Sequence, residues 1–333
     1  MLESLKTILP HPLKSAVERL PSPIGSQLEE LRIREGRPLE IGYGGRYGFV
    51  TREGTVASHP AEAMRPTNED CTMLLDLLTN HSVYSFEEEL RRGYITIAGG
   101  HRVGLAGRTV LGQGQVKLIR DISSFNIRVA REKPDSGLPV LPLLLDRERR
   151  KVRSTLIVSP PQHGKTTIIR DLARLISGGG ASWPREMDTF KVGIVDERSE
   201  IAACYKGVPR FDVGPRTDVL DCCPKAEGMM MLIRSMSPDV LIVDEIGRAE
   251  DALAVHEAAH AGIAVIATAH GADLADIRRR PVLKELWESG AFERYVQLRK
   301  TGSSVRVEAA YDSAGKRLDA LVPATGLRRK ADA

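Results

Sequence analysis

Residues 154–167, Ser154-Thr-Leu-Ile-Val-Ser-Pro-Pro-Gln-His-Gly-Lys-Thr-Thr167, read as a buried strand running into a loop that grips phosphate. The P-loop pattern requires Gly, four residues, then Gly-Lys-Ser/Thr. Successive backbone N–H groups curl around the phosphates while the Lys reaches the β and γ oxygens. Gly164, Lys165 and Thr166 fit, whereas Ser159 stands where the first Gly belongs, and Pro160 and Pro161 stiffen the loop. The candidate nucleotide contacts are Ser159, Pro160, Pro161, Gln162, His163, Gly164, Lys165, Thr166 and Thr167. The context suits a P-loop. Leu156, Ile157 and Val158 precede the loop, and Ile168, Ile169, Leu172, Leu175 and Ile176 follow it with helical spacing, Gly178 being placed to cap the end. Together these features imply binding of a nucleoside triphosphate.

Three more apolar runs end in polar residues. Val240–Val243 stops at Asp244 and Glu245, as a buried parallel strand does when it delivers carboxylates to a catalytic edge. In P-loop enzymes an Asp here holds magnesium, usually through water, and an adjacent Glu polarises the attacking water. The plainer alternative is that either acid caps the next helix or pairs with Arg248. Val192–Val195 runs into Asp196-Glu197-Arg198-Ser199-Glu200, and Ile263–Thr268 runs into Ala269 and His270. Polar groups at the carboxyl ends of several parallel strands converge on one crevice. His270 there is either a structural histidine or a γ-phosphate sensor.

With 333 residues the chain is long enough for two cores. Its 42% hydrophobic and 28% charged content is that of a soluble globular protein. A net charge of +4 and a pI near 8.9 permit an acidic partner or membrane surface without demanding nucleic acid. Cys71, Cys204, Cys222 and Cys223 have no metal-ligand spacing and point to a reducing compartment. No run approaches the ~18–20 apolar residues of a membrane span, and no signal-peptide core is expected at the amino terminus. Membrane contact, if made, is expected to be peripheral.

The pattern divides into an α+β domain over 1–132, a proline-marked linker with a docking segment over 133–153, and a doubly wound α/β domain over 154–333. In the first part, strands are expected over 38–50, 94–98, 101–110 and 123–129, with capping-box helix starts at Thr67 and Ser85. The tail 328–333 is expected to fray. On the first domain's strands, Arg102 and Arg108 share a parity, as do Asn126 and Arg128. Such residues form a solvated strand face or supply an arginine finger, for which Arg128, nearest the hinge, is the candidate. Basic clusters at Arg147–Lys151, Arg278–Arg280 and Arg328–Lys330 keep a nucleic-acid-binding ATPase as the alternative. Against it, aromatic residues are only 5% and none interleaves with a cluster as a base-stacking platform would need.

Longer blocks carry a family resemblance. Asp196-Glu-Arg-Ser-Glu-Ile201, Arg216-Thr-Asp-Val-Leu-Asp221, Lys225-Ala-Glu-Gly228, Ile233–Gly247, Gly93–Ile97, Gly99–Gly104 and Asn126-Ile-Arg128 resemble the stage III sporulation protein AA family. That family is similar in turn to the ATPases of type II and type IV secretion and pilus machines. The resemblance implies a RecA-like P-loop NTPase core with a smaller α+β N-terminal domain, assembled as a homo-hexamer with ATP and Mg2+ at subunit interfaces. It also implies a role in sporulation, in the mother-cell cytoplasm beside membrane-embedded channel proteins of a secretion-like complex leading to the forespore. By position, Lys165 would bind phosphates, Thr166 and Asp244 would serve the metal, Glu245 would orient water, and Glu197, Glu200 and His270 would complete the pocket. The secretion relatives show Gly-Glu where this chain has Asp244-Glu245, so Glu245 is the firmer assignment.

Overall fold

The computed structural model describes residues 5–82, 86–97, 99–112, 114–130, 133–301 and 304–318, in two compact units, Met1–Arg131 and Glu132–Ala333. In the first unit, strands β1 (Leu28–Arg34), β2 (Glu40–Tyr43), β3 (Arg46–Val50), β4 (Val56–Ala57), β5 (Tyr94–Thr96), β6 (Arg102–Gly112) and β7 (Gln115–Arg128) form one antiparallel sheet in the order β4-β3-β2-β1-β7-β6-β5. Helices α1 (His11–Glu18), α2 (Ser22–Gly25), α3 (Asn68–Leu78) and α4 (Glu87–Arg92) accompany it. Alternation sets the faces. Leu31, Ile33, Ile41, Val103, Phe125 and Ile127 are buried in one cluster with Leu13 and Val17 of α1 and Leu74 and Leu78 of α3. Arg32 and Arg34, of opposite parity, remain partly exposed.

Helix α3 starts where the sequence places it. Thr67 Oγ1 accepts the Asp70 N–H at 3.2 Å, and Asp70 accepts the Thr67 N–H at 2.8 Å. A cap of this kind stabilises a helix by roughly 1 kcal/mol. Ser85, Ala98 and the tail 328–333 lie outside the described residues. Strand β7 is longer than expected. A register slip between Ala106 and Arg108 separates Arg102, stacked 3.7 Å over Tyr94, from Arg108, which lies 4.0 Å from Asp121.

The second unit holds α5 (Leu141–Leu144), β8 (Leu145–Asp146), β9 (Lys151–Val152), β10 (Thr155–Ser159), α6 (Lys165–Gly178), β11 (Val192–Asp196), β12 (Thr217–Asp221), α7 (Lys225–Ser235), β13 (Val240–Val243), α8 (Ala249–His260), β14 (Ala264–His270), α9 (Leu274–Ile277), α10 (Pro281–Glu288), β15 (Arg294–Thr301) and β16 (Ser304–Asp312). Its main sheet runs β12-β11-β13-β14-β10-β15-β16, parallel except for the edge strand β16. Every residue of β10, β11 and β13 is buried because both faces are covered. Ile157, Ile194, Ile242 and Ile266 pack with Ile169 and Leu172 of α6 on one face. Leu156, Val195, Leu241 and Val265 pack with Met229 of α7, Val255 of α8 and Leu286 of α10 on the other. Helix α6 includes Gly178, and Gly179, with φ 72°, takes the cap position.

The stretch 133–153, expected as a linker with a docking segment, lies in the second unit, and its apolar part docks there. Val140, Leu141, Leu143 and Leu144 are buried in the core beside Ile168 and Leu172, and the Gly137 N–H donates to Asp171 at 2.7 Å. Burying four such side chains stabilises the segment by roughly 1.5–3 kcal/mol each, more than a loose connector retains. Among the described residues no helix is long and apolar enough to cross a membrane.

Candidate functional site

The strand order puts β14 between the P-loop strand β10 and the acid strand β13, so three strand ends and the α6 start face one cleft. The loop enters α6 through two left-handed residues, Gln162 (φ 61°) and Gly164 (φ 75°). Glycine adopts that region freely and Gln162 does not, so the loop holds Gln162 against its preference. Lys165 is 5% exposed and folds back on its own loop. Its ammonium donates to the carbonyls of Ser159 (3.0 Å) and Pro160 (3.2 Å) and to His270 Nδ1 (2.9 Å), with Ser159 Oγ at 3.5 Å. Burial lowers its pKa, against the opposing pull of Asp244 and Glu245. His163 Nδ1 lies 2.9 Å from the Pro161 carbonyl. Thr167 lines a separate hollow with Arg170, Asp171 and Arg174.

Thr166 Oγ1 donates to Asp244 Oδ2 at 2.6 Å, and Thr268 Oγ1 donates to Asp244 Oδ1 while accepting the Glu245 N–H at 2.8 Å. Glu245 has φ 52°, a strained value for a side-chain-bearing residue. Its carboxylate accepts from His270 Nε2 at 2.8 Å and Arg198 at 3.0 Å. His270 satisfies both neighbours as the neutral tautomer with its hydrogen on Nε2. Arg248 lies 4.0 Å from Glu197, and Asp251 caps α8, so neither Asp244 nor Glu245 takes the plainer roles open to it in the sequence.

The acidic loop after β11 faces the same cleft with Glu197, Arg198 and Glu200. Burial pushes the Glu197 carboxyl up, but the hydrogen bond from Lys225 and the charges of Lys225, Arg248 and Arg198 outweigh it and hold the pKa below the usual value. Asp196 behaves oppositely. Burial and the Asp221 charge raise it to about 6 although three backbone N–H groups favour its ionised form. The folded chain therefore binds this proton more tightly than the unfolded chain. The resulting stabilisation is complete below the ordinary carboxyl value of 3.8 and is lost as pH rises through about 6. Urea unfolding of wild type against Asp196→Asn is expected to show their stability difference falling by on the order of 3 kcal/mol from pH 4 to 7.

Lys165, Thr166, Asp244, Glu245, His270, Glu197 and Glu200 thus come together in the second unit. Arg128 belongs to the first unit, where it is paired across the sheet with Glu30 and Arg102. Three further residues of the site were given no role from sequence: Arg198, Lys225 and Thr268. Lys225 carried a readable signal, since a cation in the first turn of a helix opposes the helix dipole and calls for a partner such as Glu197.

Nucleotide and magnesium fit the residues present. The first turn of α6 leaves N–H groups without intrahelical partners, and Lys165 supplies a point charge beside them. Thr166 and Asp244 offer hard oxygen donors of the kind Mg2+ takes. Among the described residues no group of three His, Cys, Asp or Glu side chains is arranged to hold a metal, and Thr166 and Asp244 are the residues that would hold an ion here.

Strand order and the loop after β10 define a RecA-like P-loop fold. The fold is shared with the Legionella pneumophila ATPase DotB (TM-score 0.55, 17% identity, covering 86% of this chain and 77% of that one) and with the pilus retraction motor PilT bound to ADP (TM-score 0.56, 17% identity, 95% and 83%). The chain belongs to the family described as sporulation stage III, protein AA, whose model matches residues 3–318. It is 48% identical over 314 residues to the stage III sporulation protein AA of Bacillus subtilis (strain 168), covering 94% of this chain and 96% of that protein.

Proposed function

We propose that this chain is an ATP hydrolase, a secretion-type motor that couples ATP turnover to a sporulation-specific, secretion-like channel between mother cell and forespore. The observation that carries the reading is the convergence of Lys165, Thr166–Asp244 and Glu245–His270 on one cleft. Lys165 and the loop N–H groups would hold the phosphates, and the Thr166–Asp244 pair would hold magnesium, which would supply charge neutralisation to the phosphoryl group. Glu245 takes the proton of the attacking water. His270 bridges Lys165 and Glu245, so it senses both the phosphate site and the base. Arg128 is the candidate guanidinium for transition-state charge. The proposed assembly is a homo-hexamer on the mother-cell side of the membrane, in peripheral contact with channel proteins.

A nucleic-acid motor is less well supported. In the cluster 147–151, Arg147, Arg150 and Lys151 are engaged with Glu186, Asp188 and Glu293, and near α9 Arg280 pairs with Asp276 while Arg278 stacks on Trp287. Arg328–Lys330 lies outside the described residues.

The test is steady-state ATP hydrolysis by the full chain, with and without magnesium, and with single-stranded DNA and RNA added in parallel. Magnesium-dependent turnover unmoved by either polymer is the expected result. Strong stimulation by a polymer would transfer the reading to a nucleic-acid motor.

A further inference from the structure

The loop that carries Glu197 and Glu200 contains two left-handed residues, Ser199 (φ 54°) and Ala203 (φ 50°). Each costs of order 1 kcal/mol or more, so the turn persists only because its surroundings hold it. Two buried charged side chains do so. Asp196, 2% exposed, accepts the N–H of Glu200 (2.8 Å), Ile201 (2.9 Å) and Ala202 (2.8 Å). Arg170, 8% exposed and stacked 3.9 Å over the Phe211 ring, donates to the carbonyl of Glu200 at 2.6 Å and through Nε to that of Ile201.

The bonds fall on the same two peptide groups. In the peptide joining Glu200 to Ile201, the carbonyl is held by Arg170 and the N–H by Asp196. The next peptide, joining Ile201 to Ala202, is held in the same way. Each amide therefore lies between a cation at its oxygen and an anion at its hydrogen, so each bond polarises the amide in the sense that strengthens the other. With three N–H groups on its two oxygens, Asp196 is occupied by the backbone rather than aimed at a metal. Arg170 stands four residues after Thr166, one turn further along the helix that starts at the P-loop.

We propose that Asp196 and Arg170 are positioning residues that clamp the 200–202 turn to the P-loop helix, so that Glu197 and Glu200 move with the loop that grips the phosphates. The role in turnover rests on the hydrolase reading above, while the clamp itself is tested without it. Full-length Asp196→Asn, Arg170→Met, Arg170→Lys and the Asn/Met double variant are compared for kcat, KM and equilibrium nucleotide affinity. Amide hydrogen exchange is read at Ile201 and Ala202, with Val240–Val243 as a control for intact folding.

Each of Asp196→Asn and Arg170→Met is expected to lower kcat by about 10²-fold, the cost of a small misplacement of catalytic groups, with KM and affinity within about threefold. The double variant loses no more than the worse single, because both residues hold the same two amides. Arg170→Lys, still able to donate to the carbonyls, recovers at least about tenfold over Arg170→Met. Exchange at Ile201 and Ala202 accelerates while β13 stays protected. Multiplicative losses in the double variant would overturn the proposal, as would weakened affinity with kcat intact. If wild type hydrolyses no ATP, the hydrolase reading fails by itself and exchange decides the clamp. Unchanged protection of Ile201 and Ala202 in Arg170→Met then overturns it, and local acceleration supports it.

Discussion

Glu245→Gln is expected to bind Mg·ATP as tightly as the parent chain and to lose turnover by about 10²–10⁴-fold, the range associated with removing a positioned general base. The carboxylate stands at the end of β13 with a left-handed backbone, its N–H held by Thr268 and its oxygens by His270 and Arg198. None of those contacts reaches Ser159–Gly164 directly, so the loop that meets the phosphates survives the substitution. The amide has one acceptor oxygen for two donors. It satisfies His270 or Arg198, and its NH2 then faces the other donor. The change therefore removes the base and loosens the tie to His270, both of which slow chemistry rather than binding. Single-turnover hydrolysis and equilibrium titration with a fluorescent nucleotide separate these effects. Near-normal hydrolysis by the variant would move the base to Glu197 or Glu200, the other glutamates facing the cleft.

Legibility in the sequence followed burial. Strands β10, β11 and β13 are covered on both faces, so they appear as unbroken apolar runs whose ends mark the cleft. Strand β1 lies at the centre of the first sheet yet reads poorly. Its alternation is confined to Leu31-Arg32-Ile33-Arg34, and a register shift between Leu28 and Glu30 breaks the period before it. Edge strand β12 offers only Val219 and Leu220 as apolar residues and was hidden for the same reason. The segment 133–153 is harder to read, because Pro134, Pro139 and Pro142 signal interruption while the aliphatic residues around Leu143 are the ones that dock in the core. Asp244, Glu245 and His270 were legible as polar residues at strand ends. Arg170 was not, since its partners are backbone carbonyls 30 and 31 residues away, which side-chain pattern does not encode.

Lys165→Ala is expected to fail one step earlier than Glu245→Gln, losing nucleotide affinity by about 10²-fold or more with the fold intact. A cation paired with phosphate oxygens in a water-poor loop contributes more than a neutral hydrogen bond, on the order of 1.5–3 kcal/mol for each charge-assisted contact. Two such contacts account for the loss. The cost to folding is smaller because two terms oppose each other. Without the ammonium, the Ser159 and Pro160 carbonyls and His270 Nδ1 lose a donor, while a buried charge whose pKa burial already lowers is no longer held out of water. The thermal midpoint is therefore expected to move little, while the midpoint increase that Mg·ATP gives the parent chain disappears, as linkage requires when affinity falls below the ligand concentration used. In Glu245→Gln that ligand-induced increase persists. Opposite behaviour in the two variants places Lys165 on binding and Glu245 on chemistry. Retention of the increase in Lys165→Ala would mean that the loop N–H groups alone secure the phosphates and that Lys165 acts at the transition state.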